Sequence, residues 1–505
     1  MKVLLVYPRY PDTFWSFRHA LKFVSTKAAY PPLGLLTIAA MLPEMWQKKL
    51  IDLNVTSLSD RDIEWADYVF ISAMAVQRES SLEVISRCRR LGRKVAAGGP
   101  LFTTSPEEFE GMVDHLVLGE AEAILPLFLD ELEKGCARHI YKPEHYPDIS
   151  TSPIPAWQLI NTKNYSAMSV QYSRGCPFNC EFCDITVLNG HMPRTKTKEQ
   201  LLREFDALYE LGWRGSVFLV DDNFIGNKKK LKTEILPAIA DWMAKRKYPF
   251  TLFTQASVNM ADDDELVRLM VKANFTSVFI GIETVNEDSL AECGKAQNMN
   301  RDLIQAVRRL QKHGLQVQGG FILGFDSDPP AIFENIINFI QRSGIVTAMV
   351  GLLNAPPGTR LYRRLKKEDR ILTRFSGDNT DCSTNFIPKM GYNTLIKGYR
   401  KVVETVYSHK HYYERVKTFL KEYQPPRIRI SHFSFEHIKA FLKSVWLLGI
   451  KEKGRLLYWR LLTWTLFKRP RLFPLSVTLA IYGYHFRKVV SGYFSPKPQG
   501  LKPTS

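Results

Sequence analysis

The chain has 505 residues, 45% hydrophobic and 24% charged, which excludes the disordered and fibrous classes and is too long for one ordinary domain. Its formal charge of +18 is concentrated: Lys401 to Ser505 holds 20 Lys or Arg and five Glu, a net +15, leaving +3 for the first 400 residues. One localised basic surface is implied, not the even positive charge of a general nucleic-acid binder, and no nucleic-acid partner is expected.

Seven cysteines, three of them within eight residues, point to a reducing compartment and a metal site rather than a disulfide scaffold. The opening Met1–Pro8 stretch has too short an apolar run for a secretory leader. No segment reaches the roughly 18–20 uncharged apolar residues of a membrane span, and the longest candidate, Leu472 to Phe486, contains His485. The expected location is cytoplasmic.

In chain order, residues 1–145 alternate short apolar runs with amphipathic stretches. The runs are Val3–Tyr7, Lys49–Asn54, Tyr68–Ser72, Lys94–Gly98 and His115–Gly119, with helical patterns such as Ser80–Leu91 and Ala121–Lys134 between them. Continuous apolar strands separated by helices predict a parallel sheet covered on both faces, a doubly wound α/β (Rossmann-like) domain that takes its ligand at the carboxyl ends of the strands. A Pro-, Ser- and Thr-rich loop from Lys142 to about Ile160 follows, and residues 146–165 are read as a linker.

Residues 166–376 hold a second β/α series. Its strands are placed at Ser169–Tyr172, Val217–Val220, Thr251–Thr254, Ser277–Ile282, Val317–Leu323 and Ala348–Leu353. Six such units in about 200 residues fit a partial (β/α)6 barrel of TIM type, with its chemistry on the loops after the strands. Residues 377–505 read as a mainly helical, basic region closing in a Pro/Lys/Ser segment expected to be disordered.

The segment Arg174-Gly175-Cys176-Pro177-Phe178-Asn179-Cys180-Glu181-Phe182-Cys183 follows directly on the first barrel strand. Gly175, Pro177 and Asn179 suit an irregular loop that curls three thiolates towards one point. A 4Fe–4S cluster usually takes four cysteines, so three would leave one iron with an open coordination site. The competing readings are a zinc knuckle with His191 as the nearest fourth ligand, and simply buried cysteines. Arg194 and Lys196 face either a ligand carboxylate or solvent, and solvent is the expectation. Cys88, Cys136, Cys293 and Cys382 read as ordinary cysteines, although Cys293 and Cys382 lie on barrel-side loops.

The Cys-x3-Cys-x-Phe-Cys string resembles the signature of the radical S-adenosylmethionine (SAM) enzymes. The resemblance implies that Cys176, Cys180 and Cys183 ligate three irons of a 4Fe–4S cluster and that SAM chelates the fourth, with Phe182 against the adenine region. SAM cleavage would give a 5′-deoxyadenosyl radical able to take hydrogen from an unactivated carbon. Asp221-Asp222-Asn223-Phe224 after the second strand is similar to the segment holding the SAM amino group, here Asp222 and Asn223. Phe279-Ile280-Gly281-Ile282-Glu283 resembles the strand whose Glu faces the cofactor. Gly319-Gly320-Phe321 resembles the strand where glycine, here Gly320, lets adenine approach the backbone. Ala355-Pro356-Pro357-Gly358-Thr359-Arg360-Leu361-Tyr362 resembles the turn closing the last barrel unit. Each has a structural alternative, a helix cap for the carboxylates and a bulge for the glycines.

The domain in front resembles the cobalamin-binding domain of one radical SAM subgroup. The matching features are Tyr30-Pro31-Pro32-Leu33-Gly34-Leu35, Ser72, Gly98-Gly99-Pro100 and Gly119-Glu120-Ala121-Glu122. Small residues at strand ends let a corrin approach the sheet, and Gly119 and Glu120 open a helix whose amides can meet polar ligand atoms. Where methionine-synthase-type domains carry Asp-x-His-x-x-Gly, this chain reads Asp52-Leu53-Asn54-Val55-Thr56-Ser57, so a His-ligated cobalt at that position is excluded. The alternative is a degenerate sheet that only packs on the barrel.

From Trp446 to Arg471, Leu, Trp and Tyr interleave with Lys451, Lys453, Arg455, Arg460, Lys468, Arg469 and Arg471. That pattern suits a membrane surface, with a plain helical cap and nucleic-acid binding as alternatives. The domain order is similar to the subgroup that includes hopanoid C-methylases. It implies a cobalamin-dependent C-methyltransferase on an unactivated carbon of a small hydrophobic, lipid- or terpenoid-like substrate, supplied with electrons by flavodoxin or ferredoxin. In that scheme methylcobalamin methylates the substrate radical, and a second SAM remethylates the cobalamin. A radical cyclase or rearrangement enzyme without methyl transfer, and a non-catalytic cobalamin- or lipid-responsive adaptor, are the alternatives.

Overall fold

In the computed structural model, which describes residues 1–426 and 435–494, the first apolar runs pair into one six-stranded sheet. Its strands are β1 (Lys2–Tyr7), β2 (Gln47–Asp52), β3 (Tyr68–Ser72), β4 (Lys94–Gly98), β5 (His115–Val117) and the two-residue β6 (Ile140–Tyr141). All neighbours are parallel, in the order β2-β1-β3-β4-β5-β6. Strand β1 shows why both faces are covered. Val3 and Leu5 enter one core with Leu35 and Phe128, while Leu4 and Val6 enter another with Ile63 and Val84. The chain departs in opposite directions from β1 to β2 and to β3, which opens a crevice at the carboxyl ends of those strands.

The second sheet uses β7 (Ala167–Val170), β10 (Ser216–Leu219), β11 (Thr251–Ala256), β12 (Phe275–Glu283), β13 (Gln316–Leu323) and β14 (Ala348–Leu352), paired in chain order and all parallel. Strands β7 and β14 are its two edges, so the barrel is incomplete. Between β7 and β10 lies a short antiparallel ribbon, β8 (Ser173–Arg174) and β9 (Arg194–Thr195), which brackets the cysteine loop.

The helices Tyr392–Val406, His409–Glu422, Arg455–Lys468 and Phe473–Tyr493 pack into the barrel's own core. Tyr399, Phe419, Tyr458 and Phe486 share one apolar cluster with Val317 and Ala348. The Tyr407 hydroxyl donates to the Ala348 carbonyl at 2.6 Å, and buried Arg415 donates to Gln341 Oε1 and to the Val406 carbonyl at 2.6 and 2.8 Å. The closing Pro/Lys/Ser segment lies outside the described residues. Residues 146–165 are not a free tether. Trp157 is buried, the Ala156 N–H donates to the Leu36 carbonyl, and Gln200 donates to the carbonyls of Ile149 and Ser152. Among the described residues no helix is long and apolar enough to cross a membrane.

Candidate active site

The cysteine loop is held from beneath by two adjacent aspartates. Asp221, fully buried, accepts from the N–H groups of Tyr172 and Ser173 and from the Ser173 hydroxyl. Burial pushes its carboxyl up to about 7, opposed by those donors. Asp222 accepts from the Gly175 N–H and from Asn189 Nδ2, both at 2.9 Å. Gly175 turns the chain into the loop at φ +93°, where a Cβ would lie 2.7 Å from the Met192 carbonyl, so only glycine fits. Further along, the Glu181 N–H donates to the Cys293 carbonyl at 2.8 Å, and the Glu181 carboxylate pairs with Arg364.

All three cysteines are free thiols, and Cys180 is buried. Burial raises the pKa of each, so three thiolates persist here only with a positive partner. Among the described residues no three Cys, His, Asp or Glu side chains converge tightly enough to grip one ion, and His191 is exposed. Three thiols are the donor set of a 4Fe–4S cluster that leaves one iron open, and His191, the fourth ligand a zinc knuckle would need, is exposed. Two amide groups reach its sulfurs, Asn223 Nδ2 to Cys176 and Gln297 Nε2 to Cys180, each at 3.9 Å.

The other barrel residues named from sequence come to the same mouth. Asn223 Oδ1 accepts from the Ser257 N–H at 3.2 Å. Glu283 closes β12 at φ +62°, after a register shift beside Gly281, and its Oε1 meets Lys295 Nζ at 2.6 Å. Burial would depress the Lys295 ammonium, but Glu283 and Cys180 beside it hold its pKa above the ordinary value. Gly320 has its nearest neighbour across the strand, where a Cβ would lie 2.8 Å from the Phe279 ring. Phe182 stands edge-on to Phe325 with centroids 6.1 Å apart.

On the facing sheet, Gly98 and Gly99 are required by close approach. A Cβ on Gly98 would come within 2.7 Å of the Val117 carbonyl, and one on Gly99, at φ +89°, within 2.6 Å of Ser72 Oγ. Gly119, at φ +72°, lies against Pro143, and its N–H donates to Thr103 Oγ1. The Glu120 carboxylate does not point into open space. It pairs with Arg174 at 2.6 Å and with Arg194, while Glu122 takes Arg174 at 2.8 Å. The solvent-facing expectation for Arg194 and Lys196 is thus corrected, since Lys196 is buried against Glu204. The Asp52–Ser57 stretch follows the edge strand β2, and Asn54 is tied to Asp52, to the Pro8 carbonyl and to the Tyr10 N–H.

Between the strand ends of the first sheet and the barrel mouth lies a cavity of about 440 Å³. Met74, Val76 and Pro100 line it from one side, and Cys183, Glu283 and Gly320 from the other. Phe279, Ile322, Met349 and Leu353 make most of its wall apolar. Residues that pattern reading passed over are here too. Asp184 sits beside Cys183, and Lys295 sits behind Glu283. Trp15 meets Phe279 edge-on at 5.3 Å and bonds Met349 Sδ through Nε1 at 3.0 Å. Asp221 is signalled by the Asp-Asp pair that the sequence shows, whereas Lys295 belongs to no motif.

The chain matches three family models: "B12 binding domain" over residues 23–129, "Radical SAM superfamily" over 170–340 and "Domain of unknown function (DUF4070)" over 359–495. It is 41% identical to an uncharacterized methyltransferase of Synechocystis sp., over 96% of this chain and 91% of that one. It is 32% identical to the hopanoid C-2 methylase of Rhodopseudomonas palustris, over 91% of this chain and 88% of that one. Among solved structures it resembles OxsB, a cobalamin-dependent SAM radical enzyme with aqua-cobalamin and SAM bound, with TM-score 0.63 and 15% identity over 97% of this chain and 79% of that one; this shows a shared fold. The cofactors that go with these domains are a 4Fe–4S cluster, SAM and cobalamin, and the chemistry needs an external reductant and a small substrate. The three-cysteine loop after the first barrel strand, a glycine-edged parallel sheet facing it and kinship along nearly the whole length lead to one assignment: the chain belongs to the cobalamin-binding radical SAM enzymes, in the subgroup that includes the hopanoid C-methylases.

Proposed function

We propose that this enzyme is a C-methyltransferase acting on an unactivated carbon of a small hydrophobic, lipid- or terpenoid-like substrate. The observation that carries the reading is the cavity, apolar along most of its wall and bounded by the cobalamin-type sheet on one side and the cysteine loop on the other. Kinship with the hopanoid C-2 methylase supports methyl transfer. When bound, the cluster and SAM supply the hydrogen-abstracting radical, and cobalamin supplies the methyl group.

The chain's own residues take definite parts. Cys176, Cys180 and Cys183 hold three irons and leave the fourth to SAM. Asn223 and Glu283 would offer polar atoms to SAM, with Asp222 shaping the loop, and Phe182 and Gly320 would flank its adenine. Ser72, Gly98, Gly99 and Gly119 would form the floor for the corrin, where the glycines let the strand ends and loops pack closely. Glu120 acts through Arg174 and Arg194 as a positioning residue that keeps the two sheets face to face. Flavodoxin or ferredoxin is the proposed electron donor. The protein works at the cytoplasmic face of a membrane, from which a lipid-like substrate is drawn. Comparative lipid profiling of a strain lacking the gene tests the reading. The expected result is loss of a lipid one methylene heavier than its accumulating precursor, and an unchanged lipid profile would contradict it.

A further inference from the structure

The helical region carries a surface that the chemistry above does not use. The helix Phe435–Ser444 runs into a π-helical turn, Val445–Lys451, and then into the helix Arg455–Lys468. Ile438, Leu442, Trp446 and Ile450 recur every four residues and so share one face, and they are 39, 60, 54 and 50% exposed. On the second helix Leu456, Leu466 and Phe467 are 78, 50 and 80% exposed. Trp459 joins the two faces, because its Nε1–H donates to the Gly449 carbonyl at 3.0 Å and its ring lies over Gly449. Soluble proteins leave single apolar side chains exposed, but seldom a connected face of them.

The charge around this face has one sign. Residues 435–494 contain eleven Lys or Arg and two Glu, and both Glu are bonded, Glu436 to Lys439 and Glu452 to His409. Lys443, Lys451, Lys453, Arg455 and Arg460 are exposed, with Lys451 Nζ 4.9 Å from the centre of the Trp446 ring. Bulky aliphatic groups ringed by cations match an anionic bilayer, which offers hydrocarbon below and phosphate above. Nucleic acid offers nothing to Leu442, Ile450 and Leu456, and a second copy would set the same positive excess against itself.

We propose that this face docks on an anionic lipid bilayer, with Leu442, Trp446, Ile450, Leu456 and Phe467 entering the headgroup–acyl boundary and the flanking cations pairing with lipid phosphate. The proposal rests on the reading above, in which the substrate is lipid-like, and it names the surface that meets the source. A succession of contacts links that surface to the cavity wall. The helix Phe435–Ser444 packs on the helix Arg18–Val24, with Lys443 Nζ donating to the Lys22 carbonyl at 3.0 Å. Just before Arg18 stands Trp15, against the cavity-wall residues Phe279 and Met349.

Full-length protein is sedimented with vesicles of phosphatidylcholine alone or with added phosphatidylglycerol. The parent is expected to bind the phosphatidylglycerol vesicles. W446E/L456E/F467E, at exposed positions, should melt with the parent and bind at least ~10-fold more weakly. K451Q/K453Q/R460Q should lose roughly 100-fold, with the loss shrinking at high salt. Equal binding by the first variant, no binding by the parent, binding that follows added nucleic acid, or a change in self-association instead of vesicle binding each overturns the proposal. Reductive SAM cleavage by the same proteins separates the two readings. Lost docking with cleavage intact is the expected pattern for the first variant. A parent that docks but cleaves no SAM would sink the methyltransferase reading and leave the surface standing.

Discussion

Arg174 lies one residue before the cysteine-loop glycine and reaches across to the other sheet, so its removal tests whether the two halves are held as described. Its side chain is 15% exposed, against 7% for Glu120 and 4% for Glu122. Burial alone would raise the Glu122 carboxyl, yet the bonds and charge of Arg174, aided by Ser152, hold it at about 2 instead of 4.5. That difference corresponds to about 3 kcal/mol, which agrees with the ~3–5 kcal/mol cost of stripping one partner from a buried pair. Because the folded value is the lower one, this stabilisation is complete above pH 4.5 and lost as pH falls towards about 2. Arg174→Ala is therefore expected to speed hydrogen exchange in the helix Ala121–Glu133 and to lower urea resistance by about 3 kcal/mol at neutral pH. Adding Glu122→Gln should return roughly half, since a neutral amide tolerates burial better than a lone carboxylate. The difference between parent and variant should shrink in acid. An Arg174→Ala protein within about 0.5 kcal/mol of the parent, with unchanged exchange, would refute the clamp.

Gly175→Ala places a Cβ against the Met192 carbonyl at a backbone angle costing about 1–2 kcal/mol for a non-glycine residue; iron and sulfide per chain after anaerobic reconstitution should fall by more than half, and full loading would contradict the loop geometry. His485 is buried, its Nε2–H donates to the Phe14 carbonyl at 3.0 Å, and it is driven down to about 4 by burial. Its folded value lies below the ordinary 6.5, so stability is full above that pH and falls by about 3 kcal/mol as pH drops to about 4; urea melts across that range should show the loss, and His485→Gln should flatten it. Gly320→Val pushes the Phe279 ring towards the cavity, so SAM binding should weaken while iron content stays at the parent level, as equilibrium dialysis and iron assay would report.

Much of this architecture was legible because it is local. Val3–Tyr7 and Tyr68–Ser72 are short apolar runs between helical patterns, and the spacing of Cys176, Cys180 and Cys183 is chemistry written in eight residues. What stayed hidden depends on contacts across the chain. Glu120 looked like a ligand at a helix start, and its partners Arg174 and Arg194 stand 54 and 74 residues away. Arg194 and Lys196 looked solvated because a basic residue in a loop gives no sign of a buried carboxylate opposite. Trp15 lies 334 residues from Met349 and takes part in the barrel wall although it precedes the barrel altogether. The basic helices read as a surface but not as a shared core, because Tyr407 and Arg415 find their partners on barrel strands and helices that no periodicity names.

The central claim is that methyl transfer takes place in the cavity between the sheet and the barrel. It is tested most directly by supplying methyl-deuterated SAM to the anaerobically reconstituted, cobalamin-loaded enzyme with a lipid extract of the gene-deletion strain. The account predicts a product carrying the deuterated methyl group, with one 5′-deoxyadenosine and one S-adenosylhomocysteine formed for each molecule methylated. Deoxyadenosine formed in step with an unlabelled product, and no S-adenosylhomocysteine, would contradict it.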